Sequence, residues 1–360
     1  MCGVIRRALG LGGVVTLLGL AACGSAHAEV TPEGPRLALT QISFKPFRAD
    51  LLTVDSTGAL PAHLAGKGAR SRFQLEAFSR PTWSPDGGML AFAAIRGEKG
   101  RAETTRIFIV HPDGTGLRPL PGTRGGSDPV FAPDGRSLVF SRYKQRTRQG
   151  SRGRRIVTFA STSVWRLDLD SGRQRRLTPW RDGLYFFAYS FSPDGSALAL
   201  TRIDDKLGEA YDAVLLWLAT GDVELLAGEA QEPMFSPDGS ALVVVRESFR
   251  GTLFGSGREF EATSDLYLLD REHLSLRRLT RTPGKHESAP SWDPSGSRLA
   301  YLVTPNKSPL SPAGFGNAVM EINSDGSCRQ ELELFSRSVF YGVAWQPGPG
   351  RDAGRIECAS

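Results

Sequence analysis

Phe191-Ser192-Pro193-Asp194-Gly195 is one of six copies of a single pattern: a large aromatic, one residue, proline, a small turn, and then a β-rich run. The other copies are Trp83-Ser84-Pro85-Asp86-Gly87, Phe131-Ala132-Pro133-Asp134-Gly135, Phe235-Ser236-Pro237-Asp238-Gly239, Trp292-Asp293-Pro294-Ser295-Gly296 and the degenerate Trp345-Gln346-Pro347-Gly348. Successive prolines are 48, 60, 44, 57 and 53 residues apart. Each copy has the chemistry of a hairpin turn: proline presets the first central φ, aspartate bonds its own backbone, and glycine takes a positive φ. The strands that follow, at 89–94, 137–141, 197–201, 241–245 and 298–303, alternate or are wholly apolar.

A third strand rich in β-branched and aromatic residues comes later in each unit, at 107–110, 163–169, 213–218, 265–269 and 318–322. A second turn then follows, as in Pro112-Asp113-Gly114 or Ser324-Asp325-Gly326, and a short fourth strand closes the unit, as at 175–178 and 277–280. Four antiparallel strands in a repeat of about 50 residues make a propeller blade. At the ends, Asp55-Ser56-Thr57-Gly58 has the form of a second turn with no Pro-Asp-Gly before it, while Trp345 has no second turn after it. The expected fold is therefore all-β: a six-bladed β-propeller of four-stranded antiparallel blades, one blade closed jointly by the two termini. Residues 37–44 and 355–358 compete for one strand of that closing blade, so both a 1+3 and a 2+2 closure stay open.

Composition agrees with a folded repeat. Of 360 residues, 40% are hydrophobic and 23% charged, which excludes a wholly disordered chain, and 41 glycines and 23 prolines suit a chain that turns often. Residues 1–22 carry Arg6 and Arg7, an uncharged stretch from Ala8 and then small residues, the form of an export signal. Leu20-Ala21-Ala22-Cys23 has the form of a lipobox, with Cys23 as the lipidation site, and Ala26-His27-Ala28 offers ordinary signal-peptidase cleavage as the alternative. The expected organisation is a lipoprotein signal at 1–22, a tether at 23–35 and the propeller at 36–360. The chain is then placed in the bacterial envelope, in the periplasm or on the cell surface, or is secreted if no lipid is attached. Cleavage before Cys23 leaves 42 basic against 38 acidic residues, too small an excess to imply a nucleic-acid partner. Cys328 and Cys358 remain as a pair in an oxidising compartment, and spacing does not choose between a disulfide and two thiols.

The Ser-Pro-Asp-Gly units resemble the WD40-like repeats of TolB-type periplasmic propellers, over residues 36–358. The α/β domain that precedes the propeller in TolB has no counterpart here. The resemblance implies a protein partner docking at one end of the channel. Propellers of prolyl-oligopeptidase-like enzymes and oligogalacturonide lyases are the next most similar.

Asp86, Asp134, Asp194 and Asp238 are expected to serve their turns, and the six aromatics to pack between blades. The segments before each aromatic-x-Pro converge over the channel. They supply the candidate mouth residues Glu76, Asp128, Tyr185, Glu232, His286, Glu287 and Tyr341, with Phe78, Arg80, Phe186, Phe187, Glu229 and Phe340 beside them. Acids and aromatics at one mouth suit an envelope protein or a cell-wall polymer. A second feature is a basic loop: Arg142, Lys144, Arg146, Arg148, Arg152, Arg154 and Arg155, with no acid among them. It is read either as a solvated insertion or as a surface for anionic lipid or polymer. The leading expectation is a monomeric, non-catalytic binding module without a cofactor or metal. The alternative is an envelope hydrolase or lyase built on Glu232 and Glu287 with His286.

Overall fold

The computed structural model describes residues 36–44, 47–59, 61–65, 75–77, 79–96, 104–149, 155–207, 211–250, 261–305, 316–334, 339–348 and 354–358. The export signal, Cys23 and the tether lie outside them, as do Phe78, Arg152 and Arg154. The described residues form six antiparallel sheets, each a blade of four strands from the channel outward. Blade 2 runs Gly126–Phe131, Ser137–Gln149, Arg155–Asp168 and Gln174–Arg176. Blade 3 runs Leu184–Phe191, Ala197–Asp204, Tyr211–Trp217 and Val223–Ala227. Blade 4 runs Gln231–Phe235, Ala241–Arg250, Glu261–Asp270 and Leu276–Arg278. Blade 5 runs Lys285–Trp292, Arg298–Pro305, Ala318–Asn323 and Gln330–Glu331. In blade 1 the inner strand is split into Leu75–Ala77 and Thr82–Trp83, both paired with Leu90–Arg96, and Thr105–Val110 and Arg118–Pro119 follow.

Blade 6 takes its inner strand, Val339–Trp345, from the C-terminal side and Arg36–Phe44, Phe47–Asp55 and Ala62–Ala65 from the N-terminal side. Leu37 pairs with Trp345 and Ile42 with Val339, so residues 37–44 occupy the contested strand. The 355–358 segment docks elsewhere, on the second turn of blade 5. There Ile356 N–H donates to Asn323 Oδ1 at 2.8 Å, Asn323 Nδ2 donates to the Ile356 carbonyl at 3.0 Å, and Arg355 pairs with Asp325. Cys328 is bonded to Cys358 beside these contacts, with Cα atoms 4.7 Å apart.

Each hydrophobic cluster lies between two neighbouring blades, from blades 1 and 2 around to blades 6 and 1. Strand alternation explains how one strand serves two interfaces: Leu138 and Phe140 face blade 1, while Val139 faces blade 3. Both faces of the second strands are therefore buried, which is why they read as continuous apolar runs.

The Pro-Asp-Gly turns behave as their residue types require. Asp194 Oδ1 accepts from Ser192 Oγ at 2.6 Å and Ser196 N–H at 3.1 Å, and Gly195 has φ 71°. The same contacts recur at Asp238 with Ser236 and Ser240. These hydrogen bonds hold the Asp194 carboxyl well below the ordinary aspartate range. Each turn glycine also faces the proline of the preceding blade: Gly195 faces Pro133, Gly239 faces Pro193 and Gly296 faces Pro237. Gly87 of blade 1 lies against Pro347 of blade 6, and Trp83 Nε1 donates to the Ala344 carbonyl at 3.1 Å, so the ring closes through the same contacts.

Candidate functional site

Every inner strand is irregular at the same level. Pairing slips at residues 128–129 in blade 2, at Tyr189 in blade 3, at 232–233 in blade 4, at 289–290 in blade 5 and at 341–342 in blade 6. Blade 1 breaks between Ala77 and Thr82. A bulge re-aims the side chains beside it. Here it turns the residue three before the aromatic toward the axis in five blades, Arg80, Asp128, Glu232, Ala289 and Gly342, and in blade 3 Tyr189, two before Phe191. Asp128, Glu232 and Ala289 have φ of 48°, 56° and 52°, a left-handed backbone that L-residues adopt at a cost of about 1–3 kcal/mol each. Each of the three precedes a proline, which itself disfavours the right-handed helical region.

Gly342 has φ 97°, and a Cβ there would lie 2.3 Å from Arg80 Cγ. Glycine at this position lets Arg80 reach the axis. The Arg80 guanidinium lies 3.7 Å from Glu232 Oε2 and 4.1 Å above the Tyr189 ring. The Glu232 carboxylate also accepts the Ala289 N–H, and the Glu232 N–H donates to Thr201 Oγ1 at 2.9 Å.

These residues divide the channel. A cavity of about 530 Å³ opens at the turn end, among Trp83, Phe235, Trp292, Trp345 and several prolines. A cavity of about 240 Å³ opens at the other end and is lined from all six blades, with Asp128, Tyr143, Phe187, Tyr189, Glu232 and Tyr341 among its walls. Arg80, Asp128 and Tyr189 border both cavities and form the partition between them. Burial raises the Asp128 carboxyl above the ordinary aspartate range, and it raises the phenols of Tyr143, Tyr189 and Tyr341 above theirs. At Arg80, the fields of Glu232, Tyr189, Asp128 and Tyr341 outweigh the cost of burial and hold the guanidinium firmly charged.

Of the candidate mouth residues, Asp128, Glu232 and Tyr341 therefore come together. Tyr185 shares a strand face with Phe187 and Tyr189 by alternation, farther from the partition. Glu76 sits in the first piece of the blade 1 inner strand, paired with Ile95. His286 is buried in the blade 5 inner strand opposite Thr304 and does not line the cavity.

Glu287 is a correction: it faces the interface between blades 4 and 5, not the channel. Its carboxyl accepts from Thr280 Oγ1, from Thr282 Oγ1 at 2.9 Å and from the Leu266 N–H at 3.2 Å, and the residue is 1% exposed. Burial, with Asp265 adding to it, pushes its pKa up to about 7 against the pull of those hydrogen bonds. Strand alternation is the cause: Glu287 lies before the bulge of its strand and Glu232 within that of its own. The carboxylate pair expected for a hydrolase or lyase thus does not assemble. Among the described residues, no three His, Cys, Asp or Glu side chains gather as metal ligands would.

The described part of the basic segment, 142–149 and Arg155, is not a loop but paired hairpin strand with one register shift between Lys144 and Gln145. Pairing continues from Ser137–Asp168 out to Gln149–Arg155, so Arg142, Lys144, Arg146, Arg148 and Arg155 are strand residues. The sequence holds no acid within the segment, but the next blade supplies one: Asp182 pairs with Arg146 and, at 3.2 Å, with Lys144. Arg142 packs inward, its guanidinium 4.5 Å from the Trp165 ring, and donates to the Gly122 carbonyl at 2.6 Å. The cavity residues Tyr143, Tyr189 and Tyr211 stood outside the candidate set. The readable signals were alternation from Tyr185, and the Xaa-Pro that precedes four of the six aromatics, as in Arg80-Pro81 and Asp128-Pro129.

No protein-family model matches the sequence, and no curated protein matches it. Solved structures do. TolB from Acinetobacter baumannii superposes with a TM-score of 0.60 at 20% identity, over 87% of this chain and 67% of that one. A putative TolB from Agrobacterium tumefaciens gives 0.55 at 16% identity, over 86% and 92%. A chain of a nidogen/laminin complex gives 0.56 at 13% identity, over 87% and 98%. The chain thus has the fold of a TolB-like six-bladed propeller.

Proposed function

We propose that this chain is an extracytoplasmic binding module, anchored by lipid at Cys23, that captures a protein partner at the channel end opposite the Pro-Asp-Gly turns. The reading rests chiefly on the cavity there, which all six blades line and to which five of them contribute charged or aromatic side chains around one axis. Two strained acidic residues outside the hydrophobic interblade clusters, Asp128 and Glu232, point the same way, since strain of this kind persists where a site uses it. The structural likeness to a propeller solved in a protein complex agrees with this use of the fold. A tether of 13 residues would hold the propeller within about 45 Å of the membrane, at 3.3–3.6 Å per residue.

The test is cross-linking in cells of the tagged full chain, compared with a variant carrying Asp128→Asn, Glu232→Gln and Tyr341→Phe. These substitutions keep size and remove charge or a hydroxyl. The expected result is a protein adduct present with the parent chain and lost with the variant, both folded to the same extent. An adduct pattern identical in the two would overturn the reading.

A further inference from the structure

We infer that the 240 Å³ cavity is a receptor for a single cationic side chain, the ammonium of a lysine or the guanidinium of an arginine presented by the protein partner. The inference deepens the function proposed above and rests on it. Four observations carry it. The cavity is smaller than the ~300–1,000 Å³ of sites that engulf a whole small molecule, so it suits the end of one side chain. Among the described residues its charged groups are two carboxylates, Asp128 and Glu232, and one guanidinium, Arg80, which leaves one negative charge in excess among them when all are ionised. Its walls are aromatic: Tyr143, Phe187, Tyr189, Tyr211 and Tyr341, with Tyr143 and Phe187 in contact at 6.2 Å between centroids. Ring faces and a carboxylate together attract a partly desolvated cation.

The fourth observation is internal. Arg80 already shows the mode of recognition, with its guanidinium on the Tyr189 ring and beside Glu232. Asp128, itself part of the partition, is the second carboxylate and the one for an entering cation. Burial disfavours its charge, Arg80 offsets part of that cost, and an arriving cation compensates more of it. The cations Lys144 and Arg146 on the blade 2 hairpin share Asp182 and are exposed, so their field is screened over about 10 Å at 0.1 M salt. The buried charges of the cavity are screened much less.

The experiment is calorimetric titration of the whole mature chain with acetyl-Gly-Lys-Gly-amide, its arginine counterpart, and the norleucine peptide, which keeps the alkyl stem of lysine and lacks its ammonium. The expected result is that the cationic peptides bind at least about tenfold more tightly than norleucine, and that Asp128→Asn removes the preference while the melting temperature stays put. Tyr143→Leu, which takes away a ring face but no charge, should weaken both cationic peptides by a smaller factor. Equal binding of lysine and norleucine, no binding of either, or a preference that survives Asp128→Asn would each overturn the inference. If the cellular adduct is still lost in the triple variant under any of those results, the binding-module reading stands and only the cationic ligand fails. If both experiments fail, the mouth is not the site.

Discussion

Glu232 and Glu287 lie on the inner strands of adjacent blades, as the second and third residues of them, and meet opposite fates. Glu232 is on a bulge, has a positive φ, and lends its carboxylate to the smaller channel cavity beside Arg80. Glu287 is two residues short of the bulge in its own strand and is locked into the blade 4–5 interface by two threonine hydroxyls and a backbone N–H. The difference teaches that in this propeller the register relative to the bulge, not the residue type, decides whether an acid joins the site or the scaffold. Side chains alternate between blade interfaces along a regular strand, and the bulge turns Glu232 to the axis.

The largest effect expected from this comparison is on stability. Glu287→Ala strips the acceptors from Thr280 and Thr282 and leaves a hole between blades, so it should cost roughly 3 kcal/mol or more. Glu232→Ala, at a partly hydrated site, should cost no more than about half as much. Denaturant melts of the two variants measure this directly, and equal losses would break the comparison.

Acid dependence sharpens it. The folded Glu287 carboxyl titrates near 7 against an ordinary value of 4.5, so its contribution is complete below about pH 4.5 and is lost as pH rises to about 7. The gap corresponds to up to roughly 3 kcal/mol. Unfolding free energies across pH 4.5–7.5 should therefore fall more steeply with pH for the parent chain than for Glu287→Gln. Parallel curves would show that burial does not perturb this group.

A smaller effect is expected at the partition. Gly342→Ala places a methyl against Arg80 and strains a backbone with φ 97°, at a cost of about 2 kcal/mol. Because Arg80 must move, affinity at the mouth should change along with stability. A variant of unaltered affinity would separate the partition from the site.

The six aromatic-x-Pro turns made nearly all of the fold legible, since turn chemistry recurring about every 50 residues specifies hairpins and their number specifies blades. The closing strand was not legible, because 37–44 and 355–358 are both short β-like segments. What separates them is tertiary: 37–44 pairs along Trp345, and 355–358 is held by Asn323 and Cys328. At the site, Asp128, Glu232 and Tyr341 were readable as neighbours of the aromatic-x-Pro unit. Glu287 was misplaced because a bulge shifts facing by a register that sequence spacing does not mark. Tyr143 was missed because it belongs to the second strand of a long hairpin, where its charged neighbours dominated the reading.

The most direct test of the central account is photo-cross-linking in cells with a photoreactive phenylalanine analogue at Tyr211 or at Leu225. Both are on blade 3 and exposed, but Tyr211 lines the cavity at the proposed mouth and Leu225 lies on the outermost strand. The account predicts a discrete protein adduct from position 211 and none from 225. Adducts from 225 alone, or the same adducts from both, would contradict it.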